Sequence, residues 1–143
     1  MLHETNVFSS DFQASPEMMI LMNLKDGAYM DVNHAFLNTL EFGRSEIVGK
    51  SAVELSFLTP KDREIFEFSV KSRNLLKDYE IVLRSKTGAV VVGLLSCITF
   101  HIKNKPYLIT VVTDITQRKY QEIANQKLKE LEMYGLNRNL VNN

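Results

Sequence analysis

The stretch from Ala89 to Ile102 constrains the fold more than any other, because it is apolar on both parities of an extended strand. Val90, Val92, Leu94, Ile98 and Phe100 fall on one face, with Val91, Gly93, Leu95 and Cys97 on the other. Successive side chains of a strand point to opposite faces, so both faces of this strand are expected to be covered. Short helices would cover one, and a terminal helix or a second subunit the other. The strand sits in a hairpin series. Tyr79, Ile81 and Leu83 alternate with Glu80, Val82 and Arg84, and Lys86-Thr87-Gly88 then makes a turn. Beyond Ile102, Lys103-Asn104-Lys105-Pro106 turns into a third strand from Tyr107 to Thr113.

The first half has shorter elements. Met18-Met19-Ile20-Leu21-Met22 and Ala28-Tyr29-Met30-Asp31-Val32 read as two antiparallel strands joined at Asp26-Gly27, the pair favoured in a type I′ turn. Asn33 can N-cap the next segment, where Ala35, Phe36, Leu37 and Leu40 recur at helical spacing until Gly43. Arg44 to Gly49 and Ser51 to Leu55 look like single helical turns that packing must hold. Thr59-Pro60-Lys61-Asp62 is a strong helix start, with a hydroxyl cap, a proline at N1 and an acid at the positive end of the dipole. Ile65, Phe66, Phe68, Ser69 and Val70 are expected to supply its buried stripe. The opening residues 1–11 read as an arm or cap helix.

Composition excludes several function classes. With 17 basic and 17 acidic residues there is no electrostatic case for a nucleic-acid or anionic-membrane partner. No apolar run reaches the roughly 18 residues of a membrane span, and MLHETNVFSS lacks a signal peptide's regions. The expected location is therefore cytoplasmic, or the cytosolic part of a larger membrane-attached protein. The lone Cys97 forms no intramolecular disulfide and reads as a buried apolar thiol. No nucleophile and base spacing, metal motif or phosphate-cradling glycine loop stands out, which argues against an enzyme.

Strand, strand, several short helices, one capped helix, three strands and a helix: in this order the chain resembles a PAS domain, the sensory module of bacterial signalling proteins. The resemblance rests on Phe12 to Glu17, Asp26-Gly27, Asp31-Val32-Asn33, Ala35-Phe36, Glu41 to Lys50, Pro60 to Arg63, Lys86-Thr87-Gly88 and Thr113 to Thr116. It implies an α+β fold, a five-stranded antiparallel sheet in the order 2-1-5-4-3 with short helices on one face and a C-terminal helix. The PAS domain would span 12–116, followed by a signalling helix over 117–143. It also implies a small ligand or cofactor in an inner cavity, a homodimer, and an output domain in the same polypeptide outside this sequence. The alternative is a ligand-free dimerisation scaffold.

The cofactor stays unknown at this stage. Light-sensing flavin members of the family carry a cysteine in the region that here reads Ala52 to Phe57, and Cys97 lies on a strand instead, so covalent flavin photochemistry is disfavoured. Haem members place a histidine on the long helix, which here has none. His3, His34 and His101 read as solvated or capping side chains. Noncovalent flavin is left open, without support from a tryptophan. A small apolar or amphipathic ligand would be placed against Phe36, Leu40, Ile47, Leu55, Phe66, Leu83, Leu95 and Val111, side chains that serve equally well as packed core. Glu54 and Lys86 could pair across the cavity mouth, although exposed pairs contribute only about 0–1 kcal/mol.

The last strand meets the last helix with no Gly or Pro between them. Asp114 can cap that helix with Gln117 in the capping-box position, or Thr116 can take the cap, and either makes Asp114-Ile115-Thr116-Gln117 a stiff signal junction. Beyond it, Ala124, Leu128 and Leu131 form a narrow seam suited to a helix partner, or to folding back on the chain's own sheet.

Overall fold

In the computed structural model, residues 10–142 are described, those from 136 onward by backbone alone. Most of the expected N-terminal arm, with His3, lies outside the described residues, and residues 10–14 form a helical turn. The strands are β1 (Met18–Asn23), β2 (Tyr29–Val32), β3 (Leu75–Arg84), β4 (Val90–Ile102) and β5 (Lys105–Asp114). They make one antiparallel sheet in the order β2-β1-β5-β4-β3, as the resemblance implies. The helices are α1 (His34–Leu40), α2 (Arg44–Ile47), α3 (Pro60–Arg73) and α4 (Thr116–Asn142).

The core lies between the sheet and the helices that follow β2. Val32, Phe36, Leu40, Ile47 and Leu108 have no exposed surface. Phe57 anchors the irregular segment before α3, meeting Phe36 and Phe42 edge-on at 5.8 and 5.9 Å and stacking on Tyr29 at 6.5 Å. Such contacts hold a segment that has no stable helix of its own.

One polar side chain organises this half of the fold. Asn33 is fully buried, and its Oδ1 accepts from the backbone N–H of Phe36 at 3.1 Å and of Met19 at 2.9 Å. Its Nδ2 donates to the carbonyls of Glu17 at 2.8 Å and Ser15 at 3.5 Å. The expected N-cap is therefore also a clamp on the start of β1. Nearby, the Arg44 guanidinium reaches Asp31, Gln13 and the Val32 carbonyl, joining α2 to β2 and the N-terminal turn.

Several local expectations are corrected. The β1–β2 connection is a longer loop in which only Gly27 has positive φ, at 74°, and Gly27 donates to the Asn23 carbonyl. The two-residue turn with both φ values positive is at Lys103 and Asn104, so Lys105 and Pro106 already belong to β5. Helix α1 stops at Leu40 because Glu41 takes the left-handed conformation, before Gly43 is reached. On α3 only Val70 is fully buried, while Ile65 is partly exposed and Phe68 is 71% exposed. Phe66 and Val70 lie four residues apart on one face, and Phe68 between them points to solvent.

The covering of β4 is also lopsided. Val91, Leu95 and Cys97 face the core, and Gly93 lets β5 approach, since a Cβ there would lie 2.5 Å from the Val112 side chain. On the outer face the first turn of α4 shields Val92, but Ile98 is 53% exposed.

Two substitutions test this account. Asn33→Ala orphans two backbone donors and should cost about 2–4 kcal/mol in urea unfolding; an unchanged midpoint would remove Asn33 from its central role. Gly93→Ala should cost about 1–3 kcal/mol through overpacking against Val112, whereas alanine at Gly135, where an added Cβ meets nothing within 4 Å, should cost nothing measurable by the same assay.

Candidate functional site

A cavity of about 40 Å³ lies between the sheet and the helical layer. The sheet supplies Ile20 and Met22 from β1, Tyr29 from β2, Ile81 and Leu83 from β3, Leu95 from β4, and Thr110 and Val112 from β5. The helical side supplies Phe36, Ala52, Phe57, Leu58 and Phe66. Ligand pockets usually occupy about 300–1,000 Å³. In this conformation the void holds no ring system as large as a flavin.

Four of the eight residues expected on the wall lie there: Phe36, Phe66, Leu83 and Leu95. Leu40 and Ile47 are fully buried but behind the wall in solid core, and Leu55 packs on the core from its edge without lining the cavity. Val111 is on the wrong parity. Leu108, Thr110 and Val112 face inward, so Val111 projects from the outer face. The residues missed include Ile20, Tyr29, Phe57, Ile81, Thr110 and Val112. The register pairs Ile20 with Thr110 and Met18 with Val112, which puts these four side chains on the inner face.

The wall is almost wholly apolar. Tyr29 and Thr110 bring the hydroxyls, and no hydrogen bond joins the Tyr29 hydroxyl to another described residue. Burial alone pushes its pKa up. Cys97, on β4 and facing the core, is likewise buried, and desolvation pushes its thiol up to about 11.

Outside this cavity, beyond Met22, Ala52, Leu58 and Phe66, is an open groove of about 730 Å³ between the β1–β2 loop, residues 51–58 and α3. Those four side chains line both spaces. Glu54 does not meet Lys86: it caps its own turn through Ser51, while Lys86 pairs with Glu46 at 2.9 Å. With the Lys86 N–H donating to the Leu40 carbonyl and the Thr87 hydroxyl bonded to Glu41, the β3–β4 turn is clasped to the end of α1. Gly43's N–H and Lys86 together hold the Glu46 carboxyl below its ordinary pKa.

At this same end of β4, two residues into the strand, lies the strand-to-helix junction. The last β4–β5 pair is Gly93 with Asp114. Ile115 then continues the ladder, its N–H donating to the Val92 carbonyl at 2.8 Å, and the Thr116 hydroxyl oxygen accepts from the Val92 N–H at 2.9 Å. A side-chain oxygen thus replaces the next ladder carbonyl, so the chain can turn into a helix without orphaning a backbone donor. Asp114 accepts from the N–H of Thr116, not from Gln117, so the capping box does not form. Lys119 donates to Glu80 of β3 at 3.0 Å, and this carboxylate raises its pKa.

Beyond Lys119, every residue from Tyr120 to Tyr134 is exposed. The helix leaves the sheet and does not fold back on it. Ala124, Leu128 and Leu131 lie on its surface with Tyr120, Ile123 and Tyr134 on adjoining positions, an uncovered apolar stripe. Among the described residues no helix is long and apolar enough to cross a membrane.

A family model described as PAS domain matches residues 16–117. No curated protein matches the chain. Similar solved structures include the PAS domain of an HTR-like protein from Haloarcula marismortui, with 19% identity and TM-score 0.66 over 80% of this chain and 100% of that one. A PAS domain from a two-component sensor histidine kinase gives 12% identity and TM-score 0.65 over 79% and 97%. An RNA-binding light-oxygen-voltage receptor gives 13% identity and TM-score 0.73 over 90% of this chain but only 37% of the receptor. These likenesses concern the fold.

The cysteine gives a direct check on the inner face. At pH 8 a thiol titrating near 11 is about one part in a thousand thiolate. Alkylation of Cys97 by iodoacetamide should be at least roughly a hundredfold slower in the native protein than in denaturant; equal rates would show that β4 does not bury it.

Proposed function

The chain belongs to the PAS domain family, and on that premise we propose that it is a sensory module that admits a small ligand to its inner cavity and relays the resulting change through α4. The relay runs through Asp114, Ile115, Thr116 and Gln117 into a helix whose Ala124, Leu128 and Leu131 pair with a second copy of the chain. It ends in an output domain of the same polypeptide, outside this sequence. The module itself does no chemistry, and a cytoplasmic setting suits it.

The observation that carries this reading is the pair of hydrogen bonds between the junction and Val92. Its N–H and carbonyl are held by Thr116 and Ile115, so the helix start is fixed to the strand that also contributes Leu95 to the cavity. Lys119 and Glu80 add a tie to β3, although a pair this exposed contributes little by itself. The apolar stripe of α4 supports pairing of chains, because side chains such as Leu131, 65% exposed, otherwise face water.

A specific observation favours the alternative, a ligand-free dimerisation scaffold: the void of about 40 Å³ is mostly filled by the protein's own side chains. A sensor gains stability from ligand as RT ln(1 + [L]/Kd), and a scaffold does not. Native mass spectrometry and a metabolite thermal screen separate the two.

Two glycines inserted after Thr116 should leave the melting temperature of the domain within a degree or so while abolishing signal-dependent output in the parent protein. An unchanged output would show that the signal does not travel through this junction.

A further inference from the structure

The two hydroxyls of the cavity wall, those of Tyr29 and Thr110, point to what it would bind. Tyr29 is 5% exposed, stacks on Phe57 and lines the void, and its hydroxyl has no hydrogen-bond partner among the described residues. Leaving a buried hydroxyl unpaired costs roughly 1–3 kcal/mol. Ile20, Ile81 and Val112 on the wall cannot accept a hydrogen bond, and Thr110, whose hydroxyl could, makes no such bond to Tyr29. The void asks for an apolar body with one hydrogen-bonding atom.

The groove bears on charge and on access. Lys25, Arg63 and Lys71 along it are offset by Asp26, Glu54 and Glu67, so it favours neither a cation nor an anion. The partition between groove and cavity is one side chain thick, made of Met22, Ala52, Leu58 and Phe66. It is also the most yielding part of the core. Residues 51–58 have neither helix nor strand, α3 buries only Val70 fully, and Met22 is a flexible thioether. A dry apolar cavity of about 150 Å³ takes a benzene ring. The void of about 40 Å³ reaches that size only if Leu58, Phe66 and Met22 move toward the groove.

We infer that the cavity takes a neutral, single-ring-sized apolar molecule carrying one hydrogen-bond acceptor, which enters from the groove past Met22, Leu58 and Phe66 and receives the Tyr29 hydroxyl proton in a hydrogen bond. This rests on the sensor reading above. It names the ligand class, and it makes the segment 51–58 with α3 the moving wall.

The test uses acetophenone and ethylbenzene, which match in size and differ in the carbonyl acceptor. Binding is read in the whole chain by the shifts of the Ile20, Ile81 and Val112 methyl resonances. Acetophenone should bind about tenfold more tightly than ethylbenzene, and Tyr29→Phe, whose folding is checked by its melting temperature, should erase that preference. Leu58→Ala, which thins the partition, should strengthen both. Equal binding of the two probes by the wild type, or a preference that survives Tyr29→Phe, overturns the ligand class while leaving the sensor reading in place. Failure of both probes to move the inner methyls in the wild type and in Leu58→Ala overturns the ligand class and counts against a responsive cavity altogether. A bound water on Tyr29 that acetophenone does not displace also overturns the inference.

Discussion

Asn33 is the residue on which the arrangement of the first half depends. Its four side-chain hydrogen bonds join three pieces of chain: the approach to β1, β1 itself and the first turn of α1. An amide has two donors and two acceptor positions, and here all are used with no exposed surface. No aliphatic residue could replace it without orphaning buried backbone groups. The clamp fixes where α1 leaves the sheet, and so places Phe36 over the cavity and Leu40 in the core behind it. Phe36 in turn gives Phe57 its edge-on partner, which pins the irregular segment before α3. One buried amide thus sets the geometry of a helical layer too short to hold itself.

The helical layer is held from the far side as well. Lys86 and Thr87 bond to the chain around Leu40, Glu41 and Glu46, and the Tyr79 hydroxyl reaches Asp62 at 2.7 Å at the start of α3. That bond, with those from Thr59, holds the Asp62 carboxyl below its ordinary pKa. Between these ties the stretch 51–58 and most of α3 are held chiefly by side chains that line the void. The fold is stiff at its corners and yielding in one wall.

The elements were legible in the sequence where one physical signal dominates. Alternation in Tyr79 to Leu83 and the run from Ala89 to Ile102 give the hairpins, and Thr59-Pro60 gives the start of α3, with its capping box present in the structure. The order of strands came from the resemblance and not from periodicity. The cavity was half legible, because an apolar strand on both parities does not say which parity faces inward. In β5 the inward parity is that of Leu108, Thr110 and Val112, which leaves Val111 on the outer face. Tyr29 and Phe57 were hidden for another reason. Their importance comes from a contact across separate elements, and neither spacing nor composition marks it. The same holds for Thr116, whose sequence neighbours suggest a capping hydroxyl and whose partner is 24 residues away in β4.

In the proposed relay, that long-range bond decides how far a disturbance in the cavity can travel. Val112 lines the void, is paired with Leu95, and lies two residues before Asp114. Between them no glycine lies on β5, and on β4 the one glycine, Gly93, is packed so closely that a Cβ there would lie 2.5 Å from the Val112 side chain. Interiors packed to this density shift as units and do not absorb strain locally. A ligand that displaced Val112 or Leu95 would therefore move the end of the β4–β5 ladder, and with it the two bonds that hold Ile115 and Thr116 to Val92. Because α4 leaves the sheet after Lys119, a small tilt of its first turn becomes a larger displacement at Leu131, which at 1.5 Å per residue lies about 18 Å further along the helix. The absence of glycine and proline at the junction follows from this. The chain needs no flexible residue to turn there, since a threonine hydroxyl completes the ladder, and a flexible one would uncouple the helix from the sheet.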